Sequence, residues 1–199
     1  MKKFLLTLGL ALVLIHYANA QKGINLFNGK SLEGWTIYGT EKWYVENRDL
    51  ICESGPDKLY GYLASDKEFK DFELNLEFKQ ESNGNSGVFF HAQLEGTKIT
   101  GWQAEVAPIN LHTGGIYESY GRGWLIQPTV EKEKVLKENE WNELVVRVDK
   151  NRVTTWLNGV QMVTLTDDKI GSRSGKIALQ IHEGGGVKVR WRKIRLMRL

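Results

Sequence analysis

Polar and apolar positions alternate with a period of two along most of the chain. The cleanest run is DFELNLEFK at 71–79, where Phe72, Leu74, Leu76 and Phe78 oppose Glu73, Asn75, Glu77 and Lys79. Successive side chains of a strand point to opposite faces, so this pattern predicts a strand with one face buried. ELVVRVD (143–149), RVTTWLN (152–158) and VQMVTL (160–165) behave alike, and Lys150-Asn151 and Asn158-Gly159 between them read as tight hairpin turns. Shorter strand-like runs are INLF (24–27), WTIY (35–38), WYVEN (43–47), DLICE (49–53) and GYLAS (61–65). In GVKVRWRKIRLMRL (186–199) the apolar positions Val187, Val189 and Trp191 change parity before Ile194 and Leu196, which predicts a β-bulge at Arg192-Lys193. Residues 131–140 (EKEKVLKENE) read as a short exposed helix or a charged loop, and no helix of ordinary length is legible. Many two-faced strands with hairpin turns predict an all-β antiparallel sandwich rather than a closed barrel.

Three further strands carry polar groups on one face. In SGVFFHAQ (86–93) alternation groups Val88, Phe90 and Ala92 against Phe89, His91 and Gln93. In GWQAEVA (101–107) it sets Trp102, Ala104 and Val106 against Gln103 and Glu105, and in KIALQIH (176–182) it sets Ile177, Leu179 and Ile181 against Gln180 and His182. If the three share a sheet, its outer face carries His91, Gln103, Glu105, Gln180 and His182. Such a floor of amides, imidazoles and a carboxylate suits a hydroxyl-rich ligand. Asn85, in the turn GNSG at 84–87, shapes its rim and is placed to touch a ligand. That turn is not a phosphate cradle, because a strand and not a helix follows it. The segment TGGIYESYGRGWLIQP (113–128) reads as a long loop, with Tyr117, Tyr120 and Trp124 for stacking a sugar ring and Glu118 and Arg122 for its hydroxyls. Trp35, Trp43, Trp141, Trp156 and Trp191 are read as packing residues.

Residues 1–20 read as an export signal: basic Lys2 and Lys3, an apolar run from Phe4 to Ile15, and a small-x-small site at Ala18-Asn19-Ala20. The apolar run is too short for a stable membrane anchor. The expected location is therefore periplasmic or secreted, with residues 21–199 forming one domain. Losing Lys2 and Lys3 lowers the formal charge from +3 to about +1, a balance that argues against nucleic acid as a partner. The basic residues at 188–198 mostly alternate with apolar ones and read as a solvated strand face. The single cysteine, Cys52, has no internal disulfide partner and reads as a small buried side chain.

The segments LFNGKSLEGW (26–35), WYVENRDLI (43–51), DFELNLEFK (71–79), GNSGVFFH (84–91), GWQAEVA (101–107), TGGIYE (113–118), EWNELVVRV (140–148), VTTWLNG (153–159) and LQIHEGGGVKVRWRKIRLMRL (179–199) occur in the order found in one family. The chain resembles the DUF1080, or 3-keto-disaccharide hydrolase, domain of the concanavalin-like lectin/glucanase fold. The resemblance implies a jelly-roll sandwich of two curved antiparallel sheets, with a site on the concave one. Relatives often carry arginine at the position of His91, and glutamate then glutamine at Gln103 and Glu105, so the acidic group here is displaced along the same face.

The implied substrate is a glycoside oxidised to a ketone at C3. The ketone acidifies the C2 proton. A base then removes that proton, the C1 substituent is expelled, and water adds afterwards. Glu105 is the expected base, His182 the expected group that polarises the ketone or donates a proton, and His91 a second candidate for that role. No cofactor signature is present; two histidines and a carboxylate on one face would also accept a divalent cation as Lewis acid, although their spacing is no metal motif. A retaining glucanase would need glutamate-x-aspartate-x-x-glutamate on one strand, and that string is absent. The alternative from another class is a carbohydrate-binding, lectin-like module without catalysis. The sequence is silent on oligomeric state, sugar and aglycone.

Overall fold

The computed structural model describes residues 23–199. The export signal expected over residues 1–20 lies outside them. In chain order the strands are β1 (Ile24–Asn25), β2 (Trp35–Tyr38), β3 (Lys42–Glu46), β4 (Asp49–Glu53), β5 (Gly61–Phe69), β6 (Phe72–Gln80), β7 (Ser86–Glu95), β8 (Lys98–Val106), β9 (Ile116–Ser119) and β10 (Gly123–Ile126). A one-turn helix α1 (Val130–Glu133) follows, then β11 (Asn142–Asp149), β12 (Arg152–Leu157), β13 (Val160–Thr166), a second one-turn helix α2 (Asp168–Gly171), β14 (Gly175–Ile181) and β15 (Lys188–Arg198). One sheet is ordered β13-β12-β11-β6-β15-β4-β3, with β1 paired to β15; the other is ordered β10-β9-β8-β7-β14-β5-β2. All pairings are antiparallel. The protein is thus an all-β, jelly-roll sandwich.

The alternation read from the chain places the core. Phe72, Leu74, Leu76 and Phe78 of β6, Leu144, Val146 and Val148 of β11, and Trp191 of β15 face Val88, Phe90, Trp102, Ala104, Leu179 and Ile181 of the second sheet in one buried cluster. Burying each large apolar side chain contributes roughly 1.5–3 kcal/mol, so this shared interior holds the sheets together. Cys52 lies in the same interior, where burial pushes its thiol up to about 12. The Arg192-Lys193 bulge is present: pairing with β6 shifts between Arg192 and Arg195, and Lys193 has φ +53°. Leu157 pairs with Val160, leaving Asn158-Gly159 as a two-residue turn with φ +50° and +80°. Among the described residues no helix is long and apolar enough to cross a membrane.

Three expectations are corrected. The 113–128 segment is not a loop: it folds as the hairpin β9–β10 and forms the edge of the second sheet. The 131–140 segment contributes only one helical turn, and it is not simply exposed, since Glu133 and Leu136 are buried. The third correction concerns β7. Register with β8 slips between Phe90 and Gln93, so His91 and Ala92 together oppose Gly101. His91 takes φ +48°, close to backbone that any neighbouring Cβ would strike: a Cβ on Gly175 would lie 2.4 Å from its carbonyl carbon, and one on Gly101 2.9 Å from its oxygen. The bulge reverses the alternation. His91 turns to the core side against Phe72, Phe90 and Trp102, while Ala92 joins Phe89 on the outer face.

Leu74→Ala, at the centre of β6, is expected to lower the unfolding free energy by about 2–5 kcal/mol. Urea denaturation should show a lower midpoint with an unchanged slope.

Candidate functional site

The outer face of the second sheet is hollowed into a cavity of about 480 Å³. Phe89 of β7, Gln103 and Glu105 of β8, Gln180 of β14 and Tyr62 of β5 form its floor. The β9–β10 hairpin supplies one wall through Tyr117, Ser119, Tyr120 and Trp124. Tyr60 and His182 supply the opposite wall, with Asn85 beside them. Glu105 and His182, far apart along the chain, therefore face one hollow. Glu105 is the one carboxylate among the lining residues.

Glu105 is only 3% exposed. Its Oε2 accepts a 2.7 Å hydrogen bond from Gln103 Nε2, and its Oε1 accepts from Asn85 Nδ2. Gln103 also donates to the Ser86 carbonyl at 3.3 Å, lying across β7 at Gly87, where any Cβ would sit 2.3 Å from its nitrogen. The backbone of Glu105 is tied on both sides to the start of the hairpin: its N–H donates to the Gly115 carbonyl at 3.0 Å, and its carbonyl accepts from Gly114 at 2.9 Å. Burial disfavours the ionised carboxyl and pushes it from the ordinary 4.5 up to about 8, with the Asn85 bond partly offsetting the rise.

His182 follows the last residue of β14. Its Nδ1 lies 3.0 Å from the Glu183 carbonyl, which only accepts, so Nδ1 carries a proton. In the neutral ring Nε2 then accepts from the Tyr60 hydroxyl at 3.2 Å. The Tyr60 and His182 rings meet edge to face at 4.8 Å. The His182 backbone N–H donates to the Asn85 carbonyl at 3.3 Å, so Asn85 holds Glu105 with its side chain and His182 with its main chain. Two acceptors in the cavity lining are buried without partners, Asn85 Oδ1 and Gln180 Oε1. A buried acceptor lacking a donor is costly, and a ligand bearing hydroxyl groups would satisfy both. Trp124 and Tyr120 are exposed at the rim, and Trp124 meets Tyr117 edge to face at 5.5 Å.

The expected site residues divide. Asn85, Gln103, Glu105, Tyr117, Trp124, Gln180 and His182 line the cavity. His91 does not: the bulge turns it inward, where Nε2 donates to the Lys70 carbonyl at 2.7 Å and burial lowers its affinity for a second proton. Glu118 and Arg122 do not line it either. Glu118 alternates with Tyr117 and so projects to the other side of the hairpin, where Arg122, in the turn between β9 and β10, pairs with it and also bonds Asp167 at 2.5 Å. With His91 turned away, the two-histidine, one-carboxylate cation site is not assembled, and among the described residues no group of three or more His, Cys, Asp or Glu side chains is arranged to hold a metal ion. Sequence reasoning missed Tyr60, Tyr62 and Ser119. Tyr62 alternates with Leu63 in GYLAS and Ser119 with Glu118 in the hairpin, so strand parity was a usable signal for both. Tyr60 precedes β5 and gave no such signal.

The sequence matches the 3-keto-alpha-glucoside-1,2-lyase-like domain over residues 22–197. A 79-residue stretch is 35% identical to the 3-keto-disaccharide hydrolase of Bacteroides thetaiotaomicron, covering 35% of this chain and 27% of that protein's length. Among solved structures, a putative glycosyl hydrolase from Parabacteroides distasonis superposes with a TM-score of 0.69 at 23% identity, over 94% of this chain and 98% of that one. The carbohydrate-binding module CBM66 from Bacillus subtilis superposes with a TM-score of 0.63 at 13% identity, over 82% and 95%. A galectin-like protein of unknown function from the same species gives a TM-score of 0.67 at 15% identity, over 89% and 94%. At such identities these three structures speak for the fold alone.

Burial of Glu105 has a signed consequence for stability. Below about 4.5 the carboxyl is protonated in folded and unfolded chains alike; between 4.5 and about 8 only the unfolded chain ionises, so rising pH favours unfolding. The stability of the wild type relative to Glu105→Gln is expected to fall across that window and level off above it. Denaturant midpoints of both proteins from pH 4 to 9 measure this, and a constant difference would refute it.

Proposed function

Because the chain belongs to the 3-keto-alpha-glucoside-1,2-lyase-like domain family, we propose that it is an exported enzyme that cleaves 3-keto-glycosides by C2 proton abstraction, elimination and hydration. One observation carries this reading: a buried carboxyl, lifted toward 8, faces a sugar-sized hollow opposite an imidazole–phenol pair. In its ionised form Glu105 takes the C2 proton, which the neighbouring ketone has acidified. The C–H electron pair becomes the C1–C2 double bond as the C1–oxygen bond breaks. The His182 wall serves the departing oxygen. Water then adds at C1, and Glu105 returns its proton to C2. The unpartnered Asn85 and Gln180 oxygens take hydrogen bonds from the remaining hydroxyls, and Trp124 and Tyr120 offer apolar faces to the aglycone. Ordinary retaining or inverting hydrolysis needs two carboxylates about the scissile bond, and the cavity lining has one. Export rests on the basic, apolar and small-residue pattern of the first twenty positions.

Exposed aromatic residues at the rim favour a second reading, a carbohydrate-binding module without catalysis. Turnover separates the two. The purified protein is expected to release nitrophenol from 4-nitrophenyl 3-keto-glucoside, whose leaving group needs no proton, with kcat/KM rising through a midpoint near 8 as Glu105 ionises. Glu105→Gln should reduce kcat by about 10²–10⁴-fold with an unchanged circular dichroism spectrum. Glycan binding without turnover of oxidised or ordinary glycosides would establish the binding module instead.

Trp124→Ala is expected to raise KM for the glycoside by about tenfold while leaving kcat within a factor of three, as loss of one stacking face does when the reacting groups are untouched. Steady-state kinetics on the same substrate reads this out.

A further inference from the structure

Both ring nitrogens of His182 are engaged within the protein. Nδ1 holds the Glu183 carbonyl at 3.0 Å, and Nε2 holds the Tyr60 hydroxyl at 3.2 Å. No nitrogen is left to meet a ligand directly. Any proton that His182 delivers to the cavity must leave through the Tyr60 oxygen, and Tyr60 itself lines the cavity. We propose that Tyr60 is the residue that protonates the departing glycosidic oxygen, with His182 as the positioning and proton-supplying residue behind it. This inference rests on the glycoside-cleaving reading above.

The proton balance closes. The reactive state pairs ionised Glu105 with the imidazolium form of His182, whose Nδ1–H and Nε2–H donate to the Glu183 carbonyl and the Tyr60 oxygen. As the C1–oxygen bond breaks, its electron pair stays on the departing oxygen, which takes the hydroxyl proton of Tyr60. Tyr60 in turn takes the Nε2 proton of His182. Glu105 gains the C2 proton and His182 loses one, so the site keeps its net charge. The imidazole is left with its proton on Nδ1, the tautomer that the Glu183 carbonyl selects. In the hydration half, water gives its proton back through Tyr60 to His182, its hydroxyl joins C1, and Glu105 returns the C2 proton.

The arrangement explains the fixed geometry of this wall. Asn85, which bonds Glu105, also accepts from the His182 backbone N–H at 3.3 Å, setting base and acid at a constant separation. The loop after His182 is held against the Tyr60 side, where the Gly184 N–H donates to the Lys58 carbonyl at 2.9 Å.

Dependence on the leaving group tests the proposal. A 4-nitrophenolate departs without a proton, whereas an alkoxide does not. The wild type is therefore compared with Tyr60→Phe on 4-nitrophenyl and methyl 3-keto-glucosides. Tyr60→Phe should lower kcat for the methyl glycoside by about 10²-fold or more, and for the nitrophenyl glycoside by less than about tenfold. His182→Gln, which keeps an acceptor for the phenol but supplies no proton, should reproduce that selective loss, and it carries the test if Tyr60→Phe does not fold. Equal losses on both substrates, or no loss on either, would overturn the role of Tyr60 while leaving glycoside cleavage standing. A wild type inactive on both would remove the underlying reading and this one with it.

Discussion

A carboxyl taken out of water must find its hydrogen bonds among its neighbours, and the partners of Glu105 bind four parts of the second sheet to one another. Gln103 reaches Oε2 from two residues earlier on β8 and crosses β7 at Gly87 to do so. Asn85 reaches Oε1 from the turn before β7. Gly114 and Gly115 clasp the Glu105 backbone from the start of the hairpin. A group held this way is short of solvent but not of donors, which is why its carboxyl rises without the site collapsing around it. The raised affinity for protons and the rigid cavity floor have the same cause.

The walls depend on contacts outside the cavity. Arg122 joins Glu118 on the hairpin to Asp167 ahead of α2, fixing from behind the strand pair that presents Tyr117 and Trp124. His182 sits beyond the end of β14, where sheet pairing no longer holds it; the Asn85 and Glu183 carbonyls and the Tyr60 hydroxyl take over. Both walls are therefore carried by residues whose own side chains or backbones face elsewhere.

The two outer sheet faces differ in how their polar groups are matched. On the first sheet Arg190 bonds Glu46 and Glu81, and Arg192 and Lys193 bond Glu77. Each exposed pair of this kind contributes about 0–1 kcal/mol. On the second sheet Asn85 Oδ1 and Gln180 Oε1 have no partner. The open acceptors, and not the number of charges, set the cavity lining apart from the ion-paired face.

Alternation made β6, β8, β11 and β14 legible along with the faces they bury, because a half-buried strand writes its orientation into every second residue. It thereby placed Gln103, Glu105 and Gln180 on one surface. The Arg192-Lys193 bulge was equally legible, since apolar residues on both sides of it recorded the change of parity. The bulge at His91 was not: Phe90, His91 and Ala92 fit either face, and what turns the imidazole inward is the close approach of Gly101 and Gly175 from neighbouring strands. The hairpin was hidden because its strands are only four residues each and glycines flank them, and the bond of Arg122 to Asp167 that backs it joins residues far apart along the chain. The sequence by itself determined the strands, their buried faces and the polar floor, all consequences of local periodicity. Tertiary structure alone decided that Tyr60 caps His182, that Asn85 joins the Glu105 floor to the His182 wall, and that His91 leaves the site, since each depends on which backbones come within a few ångströms of one another.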